Sequence, residues 1–182
     1  IARLRNRGLA FTADLLGEAV VTEAEADRYR DTCLGLLGDL SDRLAREPEN
    51  RVIDRDDHGP LPRMNLSLKL SSLTADFDPL DRVGTIRRVS ERLRPILDLA
   101  VSRNAHVHFD MEQFAYKGMT FEIVRAMLDE PKYRQYPHFG FVSQAYLVDS
   151  AGDLEAMRDW AKARGCPVTV RLVKGAYWDF EV

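Results

Sequence analysis

Polar and apolar residues alternate along three short segments, and this alternation restricts the possible folds more than any other feature of the sequence. In residues 65–71, NLSLKLS, the leucines face one way while Lys69 and the serines face the other, because side chains alternate across a strand. Residues 105–111 and 168–173 show the same division. An open sheet covered on both faces would bury one polar row beneath a helix, whereas a closed barrel encloses that row in its lumen. We therefore predict a barrel.

Strand-like segments alternate with helical segments along the whole chain. This order is typical of parallel strands joined by crossover helices. The predicted strands are residues 9–16, 65–71, 105–111, 139–145 and 168–173. The predicted fold class is α/β, a (β/α)8 TIM-like barrel of which this chain holds about the first five strands. Residues 1–182 are thus expected to be the N-terminal portion of one barrel domain, cut after its fifth strand.

Four helices are predicted between the strands from capping residues and apolar spacing. The first begins at Thr22, whose hydroxyl can pair with Glu25 in a capping box. The second begins at residues 78–79, where an aspartate precedes a proline already fixed in helical φ. The other two cover about 120–128 and 150–165.

Composition limits the partners and the compartment. The chain has 182 residues, 45% of them hydrophobic and 30% charged, with a net charge of -3, which suits one soluble globular domain. No basic run is interleaved with aromatic residues, so no nucleic acid partner is expected. Cys33 and Cys166 form no C-x-x-C pair and no apolar stretch approaches the roughly 18 residues of a membrane span. We predict a cytoplasmic protein and leave open a peripheral association with the inner membrane.

Charged and amide side chains lie near the C-terminal ends of four successive predicted strands. They are Lys69, Asp110, Gln144 and Arg171. Barrel enzymes assemble their active sites at this end, so these side chains should converge. A buried cation requires a counter-charge, and Asp110 is the nearest acid to both Lys69 and Arg171 by strand order. The set suits a substrate or cofactor that carries negative charge.

Five ordered segments resemble the proline dehydrogenase family, specifically the catalytic barrel of bifunctional proline dehydrogenase/pyrroline-5-carboxylate dehydrogenases. The segments are FTADLLGEA (11–19), LSLKLSSL (66–73), HFDME (108–112), FVSQAYL (141–147) and VRLVKGAYWD (170–179). The last is the most specific, since RLVKGAYW at the end of a strand rarely arises by chance. The resemblance covers nearly the whole chain.

The resemblance implies a reaction, a cofactor and partners. The expected reaction is the oxidation of L-proline to 1-pyrroline-5-carboxylate, with hydride transfer to N5 of FAD and electrons passed to a membrane quinone. An aldehyde dehydrogenase domain is expected in the parent chain.

The resemblance also implies roles for individual residues. Asp110 and Arg171 are the expected catalytic residues, with Arg171 beside the flavin N5 edge, where a fixed positive charge stabilises the anionic reduced flavin. The residues expected at the substrate are Lys69, Tyr177 and Glu18. The residues expected at the cofactor are Met111, Gln144, Lys174, Gly175 and Ala176, together with Arg171.

The sequence leaves two alternative functions open. The His106-x-His108 pair on a barrel strand could bind a divalent metal in a hydrolase, although such a site would need further histidines and Arg171 would repel a metal. The chain could also be a non-catalytic fragment, because the later strands of the barrel and the rest of the flavin pocket are absent from it.

Overall fold

A computed structural model describes residues 1–15 and 20–176 of the chain. These residues form a five-stranded parallel sheet with helices between the strands, and a separate two-stranded ladder. The elements in chain order are α1 (Ala2–Arg5), β1 (Ala13–Asp14), α2 (Glu23–Ala45), β2 (Arg55–Asp56), β3 (Gly59–Pro60), β4 (Asn65–Leu68), a 3-10 turn (Leu70–Leu73), α3 (Arg82–Ser102), β5 (His106–Phe109), α4 (Phe114–Leu128), β6 (Phe139–Gln144), α5 (Ser150–Arg164) and β7 (Thr169–Val173).

The order of strands in the large sheet is β1-β4-β5-β6-β7, and every neighbouring pair is parallel. The prediction of an α/β fold with five parallel strands in chain order is therefore confirmed. Strands β2 and β3 form a short antiparallel ladder in the long connection between α2 and β4. No helix in the described part of the chain is long and apolar enough to cross a membrane.

The sheet curls toward its polar row. The guanidinium of Arg171 on β7 donates from Nη2 to Ser67 Oγ on β4 over 3.2 Å. In a flat sheet, strands three steps apart would be separated by about 14 Å, which is too far for this contact. The curvature is that of a barrel wall, with the polar row on the concave side.

The strands β4, β5 and β6 carry the centre of the core on the opposite side of the sheet. Leu66, Val107, Phe109 and Phe139 have no exposed surface. The helices α2, α3 and α4 pack against this row with buried apolar residues of their own, among them Cys33, Leu37, Val89, Leu93, Ile96, Leu97, Ile123 and Val124. Each such side chain contributes about 1.5 to 3 kcal/mol when it leaves water.

Several predicted boundaries are wrong by a few residues, and the helix after β4 is an instructive case. It begins at Arg82 with Asp81 as its N-cap, because the Asp81 carboxylate accepts from Gly84 N at 3.1 Å. The predicted cap, Asp78, instead accepts from Leu80 N at 2.8 Å within the preceding loop. The other boundaries that differ are those of α4, which starts six residues before residue 120, and of each strand, which pairs over a shorter range than predicted.

Three other predicted helix ends are confirmed. Thr22 caps α2, and Thr22 and Glu25 form the predicted capping box. Helix α5 begins at Ser150 and its C-cap is Gly165, whose φ of 75° lies in the left-handed region that glycine adopts without strain.

Neighbouring strands approach closely at Gly140 on β6. A Cβ at this position would lie 2.7 Å from His108 Nε2 and 2.8 Å from the backbone oxygen of Thr169. We expect Gly140→Ala to lower the free energy of unfolding by about 1 to 3 kcal/mol, because backbone must move to admit the methyl group. Urea denaturation followed by circular dichroism measures this change.

The control for that variant is Gly152→Ala in α5, where nothing lies within 4 Å of the new Cβ. It should leave the stability unchanged or raise it by up to about 1 kcal/mol. Equal stabilities for Gly140→Ala and the wild type would mean that β5, β6 and β7 do not approach as closely as described.

Candidate active site

Lys69 lies between two carboxylates at the C-terminal end of β4. Its Nζ is 2.9 Å from Asp14 Oδ1 and 3.3 Å from Asp110 Oδ2, and its side chain is 20% exposed. Asp14 on β1 was not predicted as a site residue. The structure places Asp14 in the polar row, because it pairs in register with Ser67.

Asp110 is the centre of the cluster. It follows β5 directly, and its backbone N–H donates to Leu68 O at 2.9 Å, which extends the ladder with β4 by one bond. Its carboxylate Oδ1 accepts from Ser67 Oγ at 2.5 Å and from Nη2 of Arg171. With Lys69 at Oδ2, the carboxylate joins two cations, and the predicted convergence of these three charged residues is observed.

Arg171 contributes the second cation from β7. Its side chain is 39% exposed, more than that of Asp110 at 13%. Within the described residues Nη2 of the guanidinium donates to Asp110 and Ser67, while Nε and Nη1 make no hydrogen bond there. The cluster therefore holds a fixed positive group at the edge of the lumen.

Gln144 lies at the end of β6 and is 3% exposed. Its Nε2 donates to the backbone oxygen of Glu112 at 3.0 Å and its Oε1 accepts from Ala176 N at 3.1 Å. The amide thus holds the loops after β5 and β7 together. One amide hydrogen and one lone pair remain after these two bonds.

The residues after β7 run close to the loop after β6. The backbone oxygen of Lys174 accepts from Tyr146 N at 3.0 Å. Gly175 has a φ of 145°, and a Cβ there would overlap the ring of Tyr146, so glycine is required on both grounds.

Met111, predicted at the cofactor, is buried. Glu18 and Tyr177, predicted at the substrate, lie outside the described residues.

Glu112 is a second site residue that was not predicted. Its Oε1 accepts from Ser71 Oγ at 2.5 Å and its Oε2 accepts from Ser71 N at 3.2 Å. Burial raises the pKa of Glu112, opposed by the two bonds from Ser71 and by the charge of Lys69. The segment HFDME contains Glu112, but no periodicity in the sequence connects it to the turn after β4.

The two histidines of β5 form a buried stack beneath the charged cluster. Their ring centroids are 4.5 Å apart with an interplanar angle of 25°. Burial lowers the pKa of His106 to about 3, and burial together with the charge of Arg171 lowers that of His108 to about 4.

Among residues 1–15 and 20–176, no group of three or more His, Cys, Asp or Glu side chains could hold a metal ion.

The parallel sheet curls around a polar row and presents opposed charges at its carboxyl ends, which is the architecture of an α/β barrel wall. The chain belongs to the proline dehydrogenase family, whose model matches residues 1–182.

Individual relatives agree with this assignment. The chain is similar to proline utilization A (PutA) from Bdellovibrio bacteriovorus, whose crystal structure shows the protein inactivated by N-propargylglycine. The two chains are 37% identical and superpose with a TM-score of 0.96. The match covers 99% of this chain and 19% of the PutA chain. It is 29% identical to proline dehydrogenase 1 of Bacillus subtilis strain 168 over 177 residues, which are 97% of this chain and 47% of that protein. It is 26% identical to the bifunctional protein PutA of Escherichia coli K12 over 180 residues, and covers 13% of its length. The chain thus spans about half or less of these relatives.

Proposed function

We propose that this chain forms the N-terminal part of the barrel of an FAD-dependent proline dehydrogenase, which oxidises L-proline to 1-pyrroline-5-carboxylate. The observation that carries the proposal is the convergence of Lys69, Asp110 and Arg171 from three strands at one end of the sheet. Membership of the proline dehydrogenase family supports the same reaction.

Lys69 is assigned to the carboxylate of proline. Asp14 and Asp110 hold its ammonium at the end of β4, so little side-chain entropy is lost when a ligand binds. A compact ammonium charge on a partly exposed side chain is suited to a carboxylate partner. Glu18 and Tyr177 are proposed to complete the substrate pocket.

The residues around Arg171 fit an anionic, ring-shaped cofactor. FAD, when bound, would accept the hydride at N5. The Nε and Nη1 donors of Arg171 would face negative charge on the ring, and Asp110 fixes the guanidinium in place through Nη2. Gln144 accepts from the backbone of Ala176, and its side-chain amide has one N–H and one lone pair left for hydrogen bonds to the ring. Met111, Lys174 and Gly175 are proposed to line the rest of the cofactor.

The proposal extends to electron transfer and location. Electrons are proposed to pass to a membrane quinone, from a cytoplasmic enzyme that associates peripherally with the inner membrane. An aldehyde dehydrogenase domain is proposed in the parent chain, since relatives named bifunctional protein PutA match nearly all of this chain over a small part of their own length.

The sheet also favours completion by further strands. Val170 and Leu172 on the edge strand β7 are 41% and 59% exposed. A mainly apolar cavity of about 430 Å³ lies between α5 and β7, lined among others by Phe141, Leu154 and Met157. We propose that the next strand pairs with β7 and that the next helix fills this cavity.

The second candidate is that residues 1–182 alone form a non-catalytic fragment, and the exposed edge of β7 favours it. Titration of purified residues 1–182 with FAD, followed by flavin fluorescence, separates the two: quenching that saturates supports a self-sufficient flavin site, and its absence supports the fragment.

Lys69→Ala tests the proposed function directly. We expect the KM for proline to rise by about 10- to 100-fold, because a charge-assisted bond to the substrate carboxylate is lost, while kcat changes less. Proline-dependent reduction of a dye by the full-length protein measures both constants. Lys132→Ala, an exposed lysine that pairs with Asp98, serves as the control and should leave both unchanged. A wild-type KM for Lys69→Ala would remove Lys69 from the substrate site.

A further inference from the structure

Glu112 connects the ends of three adjacent strands. Its carboxylate takes both donors of Ser71 beyond the end of β4, at 2.5 Å for the hydroxyl and 3.2 Å for the backbone N–H. Its own backbone oxygen accepts from Gln144 at the end of β6. Glu112 itself lies three residues after the end of β5.

The position of these bonds matters for the charged cluster. The regular ladder between β4 and β5 ends at Leu68 and Phe109, followed by one bond from Asp110 N to Leu68 O. Lys69 comes next on β4, and the bonds from Ser71 to Glu112 lie beyond it. Lys69 therefore lies between two connections: the bond from Asp110 to Leu68 before it, and the bonds from Ser71 to Glu112 after it.

The contacts of Glu112 favour a geometric contribution from its side chain to the cluster. Each carboxylate oxygen accepts from Ser71, and within residues 1–15 and 20–176 the side chain makes no direct hydrogen bond to Lys69, Asp110 or Arg171. Burial raises its pKa, which means that its surroundings disfavour the charged form. A neutral side chain of the same shape should therefore serve.

We propose that Glu112 is a positioning residue that sets the spacing between Lys69 and Asp110. The consequence for proline binding rests on the proposed function, since it takes Lys69 as the partner of the substrate carboxylate. The structural consequence, an ordered turn at residues 70–73, does not depend on it.

Three variants test this role in the full-length protein. Glu112→Ala removes both bonds and should raise the KM for proline by about 10-fold while kcat stays within about threefold, because Lys69 loses its preorganisation. Glu112→Gln should resemble the wild type, because the amide can accept from Ser71 N and donate to Ser71 Oγ. Ser71→Ala keeps the backbone bond and should fall between the two, at about threefold in KM.

Hydrogen exchange gives a readout that is independent of catalysis. Mass spectrometry of amide exchange should show faster exchange in residues 66–74 for Glu112→Ala and not for Glu112→Gln. Glu122→Ala is the matched control, since Glu122 lies on α4 and pairs with Arg82 away from the cluster. It should change neither the KM nor the exchange of this segment.

The outcomes separate the two proposals. A wild-type protein without proline-dependent activity overturns the proposed function, while faster exchange in Glu112→Ala alone still supports the positioning role. A wild-type KM and wild-type exchange in Glu112→Ala overturn the positioning role. Loss of activity in Glu112→Gln equal to that in Glu112→Ala also overturns it, because the charge would then be what matters.

Discussion

Asp110→Ala is expected to reduce the rate of proline-dependent flavin reduction by about 10²- to 10³-fold, because the variant loses the group that fixes both cations of the site. Asp110 accepts from Ser67 and Arg171 and pairs with Lys69. Without it the two cations face each other in a partly buried site. We also expect the free energy of unfolding to fall by about 1 to 3 kcal/mol, less than for a fully buried pair because Arg171 is partly exposed.

Rapid-mixing absorbance of the flavin measures the rate, and urea denaturation measures the stability. The comparison variant is Asp14→Ala, which removes a more exposed carboxylate from the same lysine and should slow the reaction by less than about 10-fold. If Asp110→Ala and Asp14→Ala lose equal activity, Asp110 is not the centre of the site.

Arg171→Ala is expected to lose bound flavin and to slow flavin reduction in the remaining holoenzyme by about 10²-fold or more, because a fixed positive charge near the reduced ring is removed. Arg171→Lys should recover part of the rate, since it restores the charge without the planar fork that meets Asp110 and Ser67. Flavin content per chain is read from absorbance after purification.

The control for the arginine is Arg158→Ala, an exposed arginine on α5 that pairs with its neighbour Asp159. It should keep wild-type flavin content and rate. Full flavin content and a wild-type rate in Arg171→Ala would contradict the assignment of this residue to the cofactor.

Alternation along the strands predicted more of the site than any other property of the sequence. It placed Lys69, Asp110 and Arg171 on one face, and strand order placed them at one end, so that their contacts could be expected before the structure was known. Asp14 was missed because its segment, FTADLL, alternates only weakly and pairs over two residues in the sheet.

What the sequence could not predict depends on contacts between loops. Asp78 and Asp81 both have the chemistry of an N-cap, and the proline after Asp78 favoured the wrong one. The end of β4 was placed too late because residues 65–71 continue to alternate, while the bond from Ser71 to Glu112 turns the chain into a 3-10 helix. Local pattern carries no information about such partners.

The hydrogen bond between Arg171 and Ser67 joins positions 104 residues apart, so the last strand of the sheet reaches the site long after the first part of the site has been synthesised. Ser67 and Asp110 are 43 residues apart and can meet before β7 is synthesised. Asp14, Asp110 and Lys69 together carry one excess negative charge, so we expect the site to be unbalanced until Arg171 joins these three residues. Closing the 104-residue loop costs more entropy than closing the 43-residue one, so we expect strand pairing at β7 and neutralisation of these four charged residues to come together and last.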